Sequence, residues 1–245
     1  GTTNANAGVL EVSNLQNGGV ASSLGSSSNA ASNVHLSGGT LRYVGAGGTT
    51  DRAMTLDNNA ALESSGTGAI VFNSTGAMQN TGAGGQALVT LTLGGTNLGN
   101  NLFVAALGDI ATATNENIFR TSLTKAGTGT WTINAAAPTY TGNTTINAGV
   151  LYAGSAGAIT GGLGTTSNAG SHPTYVVPTP MSSLIVLNGG VLGLTNASGD
   201  FTRGLTTAVR SFSDNGTVGV GNRADDRFIQ GVNWTAGGGF AALGG

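Results

Sequence analysis

The chain contains no cysteine, a single lysine and four prolines, and only 7% of its 245 residues are charged. Without cysteine there are no disulfides, no thiol chemistry and no thiolate metal sites. One lysine (Lys125) and seven arginines leave a net charge of −2 and no basic patch for nucleic acid or an anionic membrane. No run approaches about 20 apolar residues, so no segment spans a bilayer as a helix. Helix signals are nearly missing as well. There is no sustained i, i+3, i+4 apolar pattern, and Gly, Thr, Asn and Ser recur too often for long helices. Collagen is excluded, since the glycines keep no three-residue period.

What is present is glycine, at 44 residues, and apolar side chains, at 39%, dispersed in short pieces. Disordered chains usually pair low hydrophobicity with high net charge. Here the polar bulk is Ser, Thr, Asn and Gly, which points to order held by backbone hydrogen bonds. Short alternating stretches recur. Val89, Leu91 and Leu93 share one face while Thr90 and Thr92 take the other; Trp131 and Ile133 alternate with Thr130 and Thr132; Val34 and Leu36 flank His35; Leu41 and Tyr43 flank Arg42. Gly38-Gly39, Gly47-Gly48, Gly94-Gly95, Gly189-Gly190 and Asn215-Gly216 punctuate them. Many short strands joined by turns suit a sandwich, a barrel or a solenoid.

Internal repetition separates these. Residues 1–10 align with 142–151 at a constant offset of 141, with seven of ten positions identical. Leu24-Gly25 and Ser28-Asn29-Ala30 return as Leu163-Gly164 and Ser167-Asn168-Ala169 at offset 139. Leu36, Gly38, Gly39 and Leu41 return as Leu187, Gly189, Gly190 and Leu192 at offset 151, as do Gly48, Arg52 and Thr55 in Gly199, Arg203 and Thr206. The change of offset places a 12-residue insertion near His172-Pro173 to Met181, where three of the four prolines sit. A finer match joins Gly66 through Phe72 to Gly127 through Ile133. Such register suits a solenoid, in which each coil buries its face only against its neighbours.

Residues 122–154 carry Leu123, Lys125, Gly127, Gly129 and Trp131, then Tyr140, Gly142, Thr144, Gly149 and Leu151. This closely resembles the autotransporter-associated β-strand repeat, with the pattern L-x-K-x-G-x-G-x-W/L-x-L followed by Y-T-G-x-T-x-I/V-x-x-G-x-L. Residues 1–10 resemble the end of a second copy. The resemblance is strong at 121–155 and looser elsewhere, including at Gly39 to Tyr43, Phe201 to Arg203 and Trp234 to Ala242. It implies a right-handed parallel β-helix, secreted to the bacterial cell surface.

Residues with chemistry to offer are few. A polysaccharide-degrading β-helix needs clustered acids, or a metal with a base, on one face of the stack. The only adjacent acids are Asp225 and Asp226, between Arg223 and Arg227, which suits a solvated ion-pair turn. His35 and His172 are expected at the surface. Neither a Gly-x-Ser-x-Gly elbow, a phosphate loop nor a calcium-binding glycine repeat occurs. Trp131, Tyr140, Trp234 and Phe240 are expected to stack in the core rather than bind sugars. Arg52 and Arg203, which recur, are expected to satisfy carbonyls or a neighbouring acid at a turn.

The sequence therefore predicts an all-β, right-handed parallel β-helix forming one elongated domain over 1–245. A partial unit covers 1–141, a second begins at 142, and an inserted loop lies at about 171–181. Beginning at Gly1, the chain is expected to be a piece of a longer protein. Some 20–25 residues per coil predict roughly ten to twelve coils. No catalytic, cofactor or metal residue is assigned and no cofactor is expected. The expected role is structural, as a stalk, sheath or extracellular fibre. An adhesin contacting glycan or a surface through its loops is the alternative, and a β-helix enzyme a third. Expected partners are further repeats of the parent chain, end to end or side by side, and a cell-surface glycan.

Overall fold

Alternation builds the strands. Val89, Leu91 and Leu93 are fully buried, whereas Thr90 and Thr92 between them are half-buried, as in a strand with one face on the core. The structure, a computed structural model, describes residues 1–79, 81–82, 88–111, 118–155, 157–159, 184–195, 197, 205–206 and 232–242. Within them the chain winds in coils. The first holds β1 (Thr3–Ala5) and β2 (Val9–Val12), and the second β3 (Val34–Leu36), β4 (Thr40–Tyr43) and β5 (Ala46–Thr50). The third holds β6 (Thr55–Leu56), β7 (Ala60–Ser64) and β8 (Gly68–Phe72). The fourth holds β9 (Ala77–Gln79), β10 (Leu88–Gly95) and β11 (Asn101–Phe103). The fifth holds β12 (Ala106–Gly108), a short β13 (Ile110–Ala111), β14 (Ile118–Lys125) and β15 (Thr130–Ile133). Then follow β16 (Thr144–Ile146) and β17 (Val150–Ala153), β18 (Ile185–Leu187) and β19 (Val191–Leu194), a two-residue β20 (Leu205–Thr206), and finally β21 (Val232–Trp234) and β22 (Gly239–Ala242).

Three sides result. The first side is β1-β3-β6, followed by the pair β9-β12, whose β9 lies against β6. The second is β2-β4-β7-β10-β14-β16-β18-β21, with β20 beyond β21, and the third is β5-β8-β11-β15-β17-β19-β22. Among the described strands the pairings between coils are parallel, and the β13–β14 pair runs antiparallel. This is the all-β parallel solenoid that the alternation and the internal repeats together predict.

Parallel register turns sequence alternation into columns of like side chains. Leu10, Leu41, Leu62, Leu93, Lys125, Ile146 and Leu187 occupy one column of the second side, each paired with the next. Ile70, Asn101, Trp131, Leu151, Leu192 and Phe240 occupy one column of the third. The aligned segments at 66–72 and 127–133 thus share a place two coils apart. Phe72 and Trp131 stack across the interior with ring centroids 6.1 Å apart and planes inclined by 13°.

Two expectations are corrected. The first concerns coil length, expected at roughly 20–25 residues throughout. Thr40 pairs with Ala61, a coil of 21 residues, but Thr3 pairs with Val34 and Val150 with Val191, coils of 31 and 41. In the 31-residue coil the stretch 13–33 absorbs the difference. The second correction concerns equivalence. Residues 1–10 and 142–151 are expected at the same place on different coils, but they are displaced by one side. The first forms β1 on the first side and β2 on the second, whereas the other forms β16 on the second and β17 on the third. The pair β3–β4 and its counterpart β18–β19 show the same displacement. Strand, glycine corner and strand is a local geometry that serves more than one corner of the solenoid.

Candidate functional site

Corners are where polar groups enter the interior. Lys125 alternates with Leu123 and therefore points inward, where it is fully buried. Its ammonium donates to the carbonyls of Ala126, Gly127 and Ala148 at 2.7, 2.8 and 3.1 Å. Burial pulls its pKa down to about 8, while the three carbonyl acceptors favour the charged form. Two residues past the corner glycines, the Trp131 indole donates to the carbonyl of Gly94 at 2.8 Å. Tyr140 and Thr144 close the next corner by a 2.6 Å hydrogen bond between their hydroxyls. The repeat's lysine, tryptophan and tyrosine thus anchor carbonyls and hydroxyls inside the stack.

The most elaborate construction is the excursion between β2 and β3. Its residues 13–33 hold no charged and no aromatic side chain. Leu15 and Leu24 are buried beneath it. Arg52, 1% exposed, follows β5 and reaches back into the excursion. Its Nε donates to the Gln16 carbonyl at 3.2 Å, and its terminal nitrogens to Gly25 O at 3.0 Å, Val20 O at 3.2 Å and Ser27 Oγ at 2.9 Å. Asp51 holds the other flank, accepting from Gly18 N at 2.7 Å and Asn29 Nδ2 at 3.2 Å. The loop neck is closed by Ser23 N donating to Asn14 O at 2.9 Å and Asn14 N to Ser23 Oγ at 3.2 Å. Arg52 satisfies carbonyls at a turn, as the sequence predicts, and its acceptors are all neutral. A guanidinium's planar fork of five donors suits such a cage.

On the first side, His35 is half-buried rather than a plain surface residue, because Asp57 sits one coil above it. Its Nδ1 lies 2.7 Å from Asp57 Oδ2. Ser37 Oγ donates to the same oxygen at 2.9 Å, and Thr81 Oγ1 to Oδ1 at 2.6 Å. Burial pushes the Asp57 carboxyl up, but the donors Thr81, His35 and Ser37 outweigh it and hold the pKa below the ordinary value. Ser37, His35 and Asp57 meet without forming a nucleophilic triad, since the serine bonds the acid and not the imidazole. Asp109 accepts from the backbone of Thr121 and from Thr141, yet burial keeps its pKa raised. Both acids tie successive coils together.

Trp131 and Tyr140 are buried as expected. Phe240 is not, at 43% exposed: it continues the inward column of Leu192, and β22 is the outermost described strand of its sheet. The Trp234 side chain, Asp225, Asp226, His172, Arg203 and the loop at 171–181 lie outside the described residues. Among those described, no group of three His, Cys, Asp or Glu is placed to hold a metal, and no helix is long and apolar enough to cross a membrane. Sequence reasoning missed the inward setting of Lys125, although its spacing of two from Leu123 contains it. It also missed the His35–Asp57 pair, which forms only when coils stack.

Residues 123–153 match the passenger-associated-transport-repeat, the stretch whose anchoring groups are described above. Over 156 residues, 63% of the chain, the sequence is 45% identical to the adhesin BmaC autotransporter of Brucella suis biovar 1 (strain 1330). The match covers 4% of that protein's length. No solved structure matches the chain.

Proposed function

We propose that this chain, an autotransporter-passenger repeat protein related to an adhesin, is an adhesive stretch of a β-solenoid displayed at the bacterial surface. It is a non-enzymatic, secreted segment. Of the two roles left open by the sequence, plain rod and adhesin, the second has more support. The observation that carries it is the ordered excursion of residues 13–33. A spacer needs only short corners, such as the 21-residue coil between Thr40 and Ala61, and an ordered loop longer than about 15 residues is usually functional. This one is inserted between β2 and β3 without disturbing the register of Thr3 with Val34.

Two partner classes follow. One is a host glycan or surface met by the loops. The other is further repeats of the parent chain or a second copy, met end to end or side by side. We retain the division into a unit at 1–141 and a second from 142 as part of this reading. Beads coated with the chain should attach to epithelial cell layers or extracellular matrix, while beads coated with an unrelated β-solenoid should not. Equal attachment of the two would return the chain to the role of plain rod.

A further inference from the structure

We infer that the loop neck formed by Asn14, Gln16 and Ser23 is a binding site for an uncharged glycan. This rests on the adhesive reading above and names the loop and the ligand class. The first observation is structural outlay. A buried guanidinium with no carboxylate partner, a bound carboxylate and two buried leucines hold an 18-residue run, 13–30, in one conformation. Merely closing the side of the first coil would not require the neck and tip beyond Asn17. Ordering a loop before its ligand arrives lowers the cost of binding.

The second observation is chemical. Asn14, Gln16 and Ser23 are exposed, and they are coupled: Gln16 Nε2 donates to Asn14 Oδ1 at 3.0 Å, and Asn14 N donates to Ser23 Oγ at 3.2 Å. These bonds leave Asn14 Nδ2 as a donor, Gln16 Oε1 as an acceptor and the Ser23 hydroxyl free to donate. An oriented amide donor beside an amide acceptor matches the vicinal hydroxyls of a sugar, each of which both gives and takes a proton. Val20 of the same loop is 50% exposed, an apolar surface open to a sugar C–H face.

The third observation selects the class. No charge lies on residues 13–33; the two ionic groups that bond the loop, Asp51 and Arg52, are occupied by its own backbone and side chains, and the exposed charge beside it in sequence, Glu11, is itself negative. Nothing there compensates a sialic acid, a sulfate or a nucleic-acid phosphate. A neutral hexose or N-acetylhexosamine chain fits. With three polar groups and one apolar contact per loop, a single site should bind with a dissociation constant of about 1 mM.

The test is the full chain on an array of neutral, sialylated and sulfated oligosaccharides, printed densely enough for multivalent capture. Neutral glycans should be retained and the anionic ones not. The double variant Asn14→Ala/Gln16→Ala should lose at least tenfold in retention with its circular dichroism and melting unchanged. A control, Thr92→Ala/Thr124→Ala on the outer face of the second side, should bind as the parent does. Retention by the loop variant equal to the parent's, a preference for anionic glycans, or no retention of any glycan would each overturn the assignment. If coated beads still attach to cells in those cases, the adhesive reading survives and this site alone falls. If the parent attaches to nothing, both fall.

Discussion

Lys125 lies in register with Leu93 one coil away, and the two side chains point into the same interior. A lysine in a column of leucines and isoleucines is tolerated because three carbonyls of the adjoining corner face its ammonium. Lys125→Met would keep the packing and orphan those acceptors. The expected cost is about 1–3 kcal/mol, the penalty for buried polar groups left without a partner, read from the urea midpoint at pH 7.

The same residue predicts a pH dependence. Burial lowers its pKa from the ordinary lysine value of 10.5 to about 8 in the folded chain, so between these values the unfolded state binds more protons. Stability must then rise with pH from about 8 to 10.5 and lose this contribution as pH falls through 8. Urea titrations of the parent and of Lys125→Met over that range check it. The slope should be absent in the variant, and an equal slope in both would assign it to other groups.

Asp57 acts at the other end of the scale. Burial raises its pKa, but bonds from Thr81, His35 and Ser37 hold it lower overall, so its contribution is present above the ordinary carboxylate range and is lost as pH falls through the depressed value. Asp57→Asn should flatten the acid limb of the stability profile and leave the region above pH 6 with a constant, pH-independent loss. Melting temperatures between pH 3 and 7 decide this.

The module at 1–10 and 142–151 allows one substitution to be made twice. Gly8 and Gly149 are equivalent by sequence and have φ of +67° and +64°. A Cβ on Gly8 meets nothing within 4 Å, whereas one on Gly149 would run into Gly129 O, come 2.6 Å from Gly127 O and 2.8 Å from Lys125 Nζ. Gly8→Ala should cost only the left-handed backbone penalty, about 1–2 kcal/mol. Gly149→Ala should cost several-fold more, because the two nearest obstacles are backbone oxygens. Equal effects on thermal unfolding would mean that the corner can open.

For Arg52, the expected outcome is local. Arg52→Met should leave the far-UV spectrum of the sheets intact and expose 14–30 to limited proteolysis, at a cost of at least about 2 kcal/mol from the carbonyls left unpaired. Cleavage mapped by mass spectrometry to that run, and not to the coils, is the signature.

Alternation around Val89, Leu91 and Leu93 was enough to foretell the strands, and the match of 66–72 to 127–133 enough to foretell parallel stacking in register. Arg52 was legible because it recurs beside glycine-rich turns. The side on which a module lies was not legible. Residues 1–10 encode strand, corner and strand, and that local geometry is shared by two corners; the side depends on how many strands precede it. The His35–Asp57 contact spans 22 residues, one coil, and exists only once coil length is known. The amides of Asn14 and Gln16 look like any other polar residues until Arg52 is seen to hold their loop.

The one-side displacement between β1–β2 and β16–β17 has a consequence for any longer rod built from such units. Each unit would carry its counterpart features about a third of a turn around the axis from those of the unit before. The excursion at 13–33 takes the place of a third-side strand. A flat opposing surface would then meet equivalent loops only from every third unit, while a fibrous or enveloping matrix would meet them all.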